Sequence, residues 1–292
     1  MGKRTTVALL VAMVIALGLV GCGSSGASSS QSGQSAASSS SEASQQSQAS
    51  PSSSAAAVSQ NPDAEFLPTL AAGLEARWAL TAKTEDQELT TQLREQYANA
   101  ELDQLAAFKD ASFEDADLGR LAERYIAAVE DSVACLDSFD TNYLDFTKRW
   151  SDSYKERALV IKELVEKYGF AMSGENQESI NGMIEAAKEA EAELLVPEGI
   201  KHVAEEDIPA AVASAFQKDG DIYRATYVNP GPMSFDTYDL TVCLLNDKGG
   251  LVEQFAIHLD SWPSGSEATF EFTPNSEFAS IAAYNERWHG TW

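Results

Sequence analysis

Three histidines, His202, His258 and His289, are the side chains of this chain whose ordinary pKa suits acid–base catalysis or metal ligation at neutral pH. They stand far apart, and no His-Glu-x-x-His pair, Gly-x-Ser-x-Gly elbow or Gly-x4-Gly-Lys-Ser/Thr phosphate loop accompanies them. Hydrolysis needs a nucleophile beside a base, or a positioned metal. No catalytic residue, metal ligand set or cofactor is therefore assigned, and each histidine reads as a surface residue. Paired carboxylates can run glycoside chemistry, but among 45 acidic residues some pair always exists, so pairing carries no signal. "KDGDIYRA", Lys218 to Ala225, has two aspartates but lacks the spaced ligands and terminal glutamate of a calcium loop.

One set of residues leans toward binding. Trp262, Trp288 and Trp292 sit in a loop and near a chain end, where indoles can stack on sugar rings or on a partner's apolar surface. The competing expectation is that Trp262 plugs the mouth of a small β domain and Trp288 packs against the helices, since large aromatics usually bury area. Arg157 falls on an apolar helical stripe, and an arginine facing a core needs an acidic partner. Glu75 or Glu123 could supply it, making a structural ion pair rather than an anion site.

The elements that carry these residues follow from periodicity. Phe66, Leu70, Leu74 and Trp78 recur every four residues, and Thr84 with Gln87 has a capping-box pattern ahead of Leu89, Leu93 and Tyr97. Leu118, Leu121, Tyr125, Ala128, Ser132, Cys135 and Phe139 form a third stripe. Tyr143, Phe146, Trp150, Tyr154, Arg157, Ile161, Leu164 and Tyr168 form a fourth, closed by Gly169 at a C-cap position. Ser173 opens a helix through Ile180, Met183 and Ala187 to Pro197, and "DIPAAVASAFQ" adds a short one with Pro209 in its first turn. Sustained three-four spacing with short connections predicts an antiparallel helical bundle over 63–217.

After Gly220 the period becomes two. "DIYRATYVN", "TYDLTVCLL", the turn "NDKGG", "LVEQFAIHL", "ATFEF" and "FASIAAYNERW" read as short strands broken by Gly, Pro and Asn. The expected fold class is thus α+β and multidomain: an all-α bundle followed, over 218–292, by a small all-β immunoglobulin-like sandwich. Its roughly 75 residues fall short of the usual 100 or so. Cys135 lies on a helix and Cys243 on a strand of another domain, so both read as buried free thiols.

At the amino terminus Lys3 and Arg4 precede an apolar run of roughly 15 residues, short of the ~20 that span a bilayer. This reads as a signal peptide over 1–21. Leu19-Val20-Gly21-Cys22 resembles the lipobox of bacterial lipoproteins, which implies cleavage before Cys22 and lipidation of its thiol. The resemblance implies a membrane partner through that anchor and an extracytoplasmic location. From 22 to 62 a Ser-, Ala- and Gln-rich tract has too little apolar surface to fold and reads as a tether. As a flexible coil it would span on the order of 35 Å. The processed chain would carry 18 basic against 45 acidic side chains, a formal net charge of −27. That charge makes nucleic acid and anionic lipid surfaces poor partners.

"VCLLNDKGG" followed by "WPSGSEATFEF" resembles the F-x-L-Y-D family of small β-sandwich domains on bacterial surface proteins. Val242, Leu245 and Asn246 stand where that motif has Phe, Tyr and Asp. The resemblance implies fold and location only; an envelope protein or cell-wall glycan is the expected partner of the module. The expected function is a non-catalytic binding or interaction module. The alternatives are a transporter's solute-binding lipoprotein, normally built from alternating βαβ units, and a cell-wall-modifying enzyme.

Overall fold

The computed structural model describes residues 61–292. The expected signal peptide, Cys22 and nearly all of the tether lie outside them. Within them the chain is α+β, helices first and then two antiparallel sheets.

Helix α1 (Pro62–Lys83) begins with proline at its first position, where the missing N–H is not needed. It buries Phe66, Leu70 and Leu74 completely. The cap of α2 (Thr91–Leu105) is Thr90, whose Oγ1 accepts from Leu93 N at 3.2 Å. The Thr84–Gln87 capping box expected from sequence is not formed. Thr84 instead closes α1, its hydroxyl donating to Leu80 O at 2.8 Å and lying 2.6 Å from the Tyr97 hydroxyl. Asp115 caps α3 (Ala116–Ala134) through Asp117 N and Leu118 N. Asp63 accepts from Glu114 N and Asp115 N, tying the starts of α1 and α3 together. Helix α4 (Tyr143–Tyr168) ends at Gly169 in the left-handed region, φ 67°, as its sequence position predicts. Helix α5 (Glu175–Leu194) completes one apolar core with Leu105, Leu121, Ile161, Leu164 and Ile180.

Helices α6 (Glu198–His202) and α7 (Ile208–Ala215) join through a π turn at Val203–Asp207. Its cause is local. The Tyr238 hydroxyl donates to Ala204 O at 2.8 Å, and Ile208 N reaches back to Val203 O instead. Ala204, Ile208 and Val212 are thereby aimed into the core of the sheets. The last helical piece, which the sequence reading counts within the bundle (63–217), thus packs with the strands instead.

Strands β1 (Gln217–Asp219), β2 (Ile222–Val228) and β5 (Glu267–Phe272) form one sheet in the order β1-β2-β5. Strands β3 (Ser234–Leu245), β4 (Leu251–Leu259) and β6 (Ser280–Thr291) form the other, in the order β4-β3-β6. Strand β1 was not anticipated; it precedes Gly220, which turns the chain at φ 65°. Leu240, Val242 and Leu244 of β3 face the core shared with Ala225, Phe270 and Phe272 of the first sheet. The opposite face of β3, Thr241 and Cys243, is buried as well, because the helices cover it. Tyr143 at the start of α4 donates from N to Gly249 O and from its hydroxyl to Gln254 Oε1, each at 3.2 Å. The β3–β4 turn sits so close to the α3–α4 loop that a Cβ on Gly249 or Gly250 would lie 2.5 Å from the carbonyl oxygen of Thr141 or Asp140.

Candidate functional site

The buried polar residues of the helices form a seam between α2, α3 and α4. Arg94 and Glu101 share the core face of α2, seven residues and about 10 Å apart along its axis. Trp150, Ser153 and Arg157 occupy the matching stretch of α4, and Ser153 hydrogen-bonds Ser132 of α3.

At one end of the seam stands Arg157, 3% exposed, and its partner is Glu101. Glu75 and Glu123 both lie at the surface, which corrects the pairing expected from sequence. Arg157 Nη2 lies 3.0 and 2.8 Å from the two Glu101 oxygens, and Arg77 Nη1 adds a third contact at 2.9 Å. The Tyr125 hydroxyl donates to the same carboxylate. Burial pushes the Glu101 carboxyl up, but Arg157 and Arg77 together outweigh it and hold it below the usual carboxylate range. Two guanidiniums on one carboxylate leave this cluster with a surplus positive charge.

At the other end stands Arg94, 5% exposed. Its Cζ lies 5.2, 5.4 and 5.8 Å from the ring centroids of Trp150, Phe146 and Phe139. Among the described residues no carboxylate pairs with it, and its Nε is buried with no acceptor. Burial lowers its pKa, partly offset by the nearby Tyr143, Cys135, Tyr97 and Tyr284. A cation–π contact contributes about 0.5–2 kcal/mol, whereas stripping water from an ion costs several kcal/mol. The cage therefore offsets only part of that penalty. Sequence reading missed Arg94, Arg77, Tyr125's role and Glu101. The available signal was register: Arg94, Ala98, Glu101 and Leu105 follow a four-three-four helical spacing.

The three tryptophans do not make one platform. Trp262 is fully buried, its ring 5.4–5.7 Å from Tyr238, Phe270 and Phe235, and its Nε1 donates to Ser266 O at 3.1 Å. It cannot stack on a ligand, and the plug reading describes it. Trp288 is half-buried and edge-on to Phe235. Trp292 is 56% exposed and meets Trp288 at 69°, so the pair offers no flat surface.

Cys135 and Cys243 are free and buried, their thiols pushed up by burial to about 11 and about 12. His202 and His289 are exposed. His258 is also exposed, but it is clamped: one ring nitrogen meets Asp239 and the other meets Asp260 at 3.1 Å, while Arg287 reaches Asp239 at 3.5 Å. Hydrogen bonds to Asp239 and Asp260 raise its pKa above 6.5. A raised imidazole pKa contributes stability that is complete below the ordinary value and lost as pH rises through the folded one. His258→Gln is therefore expected to melt below wild type in acidic buffer, with the gap closing as the pH becomes alkaline. A gap independent of pH would exclude this clamp. Burial pushes the nearby Glu286 carboxyl up as well, so Glu286→Gln serves as the control.

Among the described residues no group of three or more His, Cys, Asp or Glu could hold a metal, and no helix is long and apolar enough to cross a membrane. No family model, curated protein or solved structure matches the chain.

Proposed function

We propose that this chain is a lipid-anchored protein of a bacterial cell envelope, acting outside the cytoplasm as a non-catalytic binding or interaction module. In this reading Cys22 carries the lipid, the Ser-rich tract is a leash, and an antiparallel helical bundle with an immunoglobulin-like sandwich is the working body. The observation that carries the reading is the order of residues at the start: Lys3-Arg4, a short apolar run, Leu19-Val20-Gly21-Cys22, then nearly uncharged low-complexity chain. Two acyl chains make such an anchor durable where one does not.

The body supports a binding role through its construction. Helix α4 meets the sheet through Tyr143, which bonds Gly249 O and Gln254, and a buried cation without a carboxylate partner, Arg94, stands near that junction. Among the described residues both sheets are antiparallel, whereas two-lobed solute-binding folds hold ligands at the crevice of parallel sheets.

The test is fatty-acid labelling of the full chain in a bacterial host. Wild type is expected to take up label and fractionate with membranes. Cys22→Ser is expected to lose the label and accumulate as precursor or released protein. Label retained by Cys22→Ser, or never taken up by wild type, would overturn the anchor.

A further inference from the structure

Arg94 and Arg157 each hold a buried Nε with no acceptor, but their surroundings differ. Arg157 has Glu101 across it, whereas Arg94 has three aromatic rings and a set of neutral hydroxyls. A buried donor without an acceptor marks a place where a water or an ion belongs. We propose that a small monovalent anion, either a halide or the carboxylate group of a ligand, binds at Arg94 where α2 and α4 meet the β4-β3-β6 sheet.

The chemistry of the surroundings sets the class. The groups acting on Arg94 are the Tyr97, Tyr143 and Tyr284 phenols and the Cys135 thiol. Burial pushes the Tyr143, Tyr284 and Cys135 groups upward, so they stay protonated and uncharged at neutral pH. One positive charge among neutral groups balances one negative charge; the Tyr143 hydroxyl and Cys135 thiol already donate to Gln254 Oε1 and Ser132 O, so the Arg94 guanidinium itself would hold the anion. A chain of formal charge −25 further disfavours polyanions. Size follows from the 5% exposure of Arg94, which leaves entry only to something small or to the tip of a larger molecule. The phenols that act on Arg94 come from both parts of the fold, Tyr97 and Tyr143 from helices and Tyr284 from β6. This site does not depend on the lipid anchor, and its failure would leave that reading untouched.

The experiment is chloride-35 NMR line broadening with the intact chain, titrated with acetate at constant ionic strength. Wild type is expected to broaden the chloride line saturably. Arg94→Gln should abolish the excess and Arg94→Lys should restore part of it. Displacement of chloride by acetate would support the site with a carboxylate as its occupant; broadening that acetate leaves unchanged would support it with a halide. Equal broadening by wild type and a folded Arg94→Gln would overturn the proposal. If Arg94→Gln does not fold, wild type alone decides through Trp150: saturable quenching of its fluorescence by iodide supports the site. Strictly linear quenching, or no excess chloride broadening, overturns it.

Discussion

Glu101→Gln is expected to lower the stability of the folded chain by about 3–5 kcal/mol, read as a fall in the urea midpoint at unchanged slope. Glutamine keeps the shape of the side chain and some of its hydrogen bonds but removes its charge. Arg157 and Arg77, 3.0 Å or less from the carboxylate now, would then face each other with no negative charge between them. The loss measures stranded cations and not the net value of the cluster. Replacing Arg77, Glu101 and Arg157 together with apolar residues of similar volume should accordingly cost less than Glu101→Gln alone. A glutamine variant as stable as wild type would show that the cations find other partners. The same cluster sets an acid limit. Because the Glu101 carboxyl is held below its ordinary 4.5, its contribution is complete above that pH and fades as pH falls through the lower folded value.

The second large effect is at Trp262. Trp262→Ala should cost about 3–5 kcal/mol, the range for emptying a buried aromatic site. The indole is walled by Phe235, Tyr238 and Phe270, three rings from both sheets, so little can collapse into the space. Its backbone pairs with Phe235 in both directions, at 3.1 and 2.9 Å, and Asn229 Nδ2 donates to its carbonyl at 2.9 Å. Trp262→Phe keeps most of the volume and loses the bond to Ser266 O, and should fall between alanine and wild type. The near-ultraviolet circular dichroism of the sheets should weaken with alanine while far-ultraviolet helix signal is kept. Loss of both together would mean that the helical core depends on the sheets for folding.

Much of the secondary structure was legible because it rests on local spacing. The stripe Phe66-Leu70-Leu74 and the glycine at 169 each state a helix face or end without reference to anything distant. The strands from β2 onward were legible from alternation and from the turn residues between them. What escaped depends on contacts between remote segments. Thr90 outcompetes Thr84 as a cap because Tyr97 and Leu80 O occupy the Thr84 hydroxyl. Amphipathicity shows that α7 has an apolar face but not which core receives it; a hydroxyl from Tyr238 decides that. Glu101 and Arg94 escaped because a stripe sought through its apolar members passes over a charged residue in the same register. Arg157 was noticed only because its neighbours on the stripe are so plainly apolar, and its partner, 56 residues away, is a fact of the tertiary structure alone.

The wedge of Gly249 and Gly250 beneath the Asp140–Thr141 loop bears on how the gene can be cut. A fragment begun at residue 218 would discard the helix that roofs Phe235 and Val242 on one side. On the other it would bare Thr241 and Cys243, which the first turn of α4 now shelters. Such a piece would present two raw flanks, and its copies would clump. Moving the C-terminal quarter onto another protein would mean carrying residues from 198 onward to keep one flank covered and finding a substitute for α4 on the other.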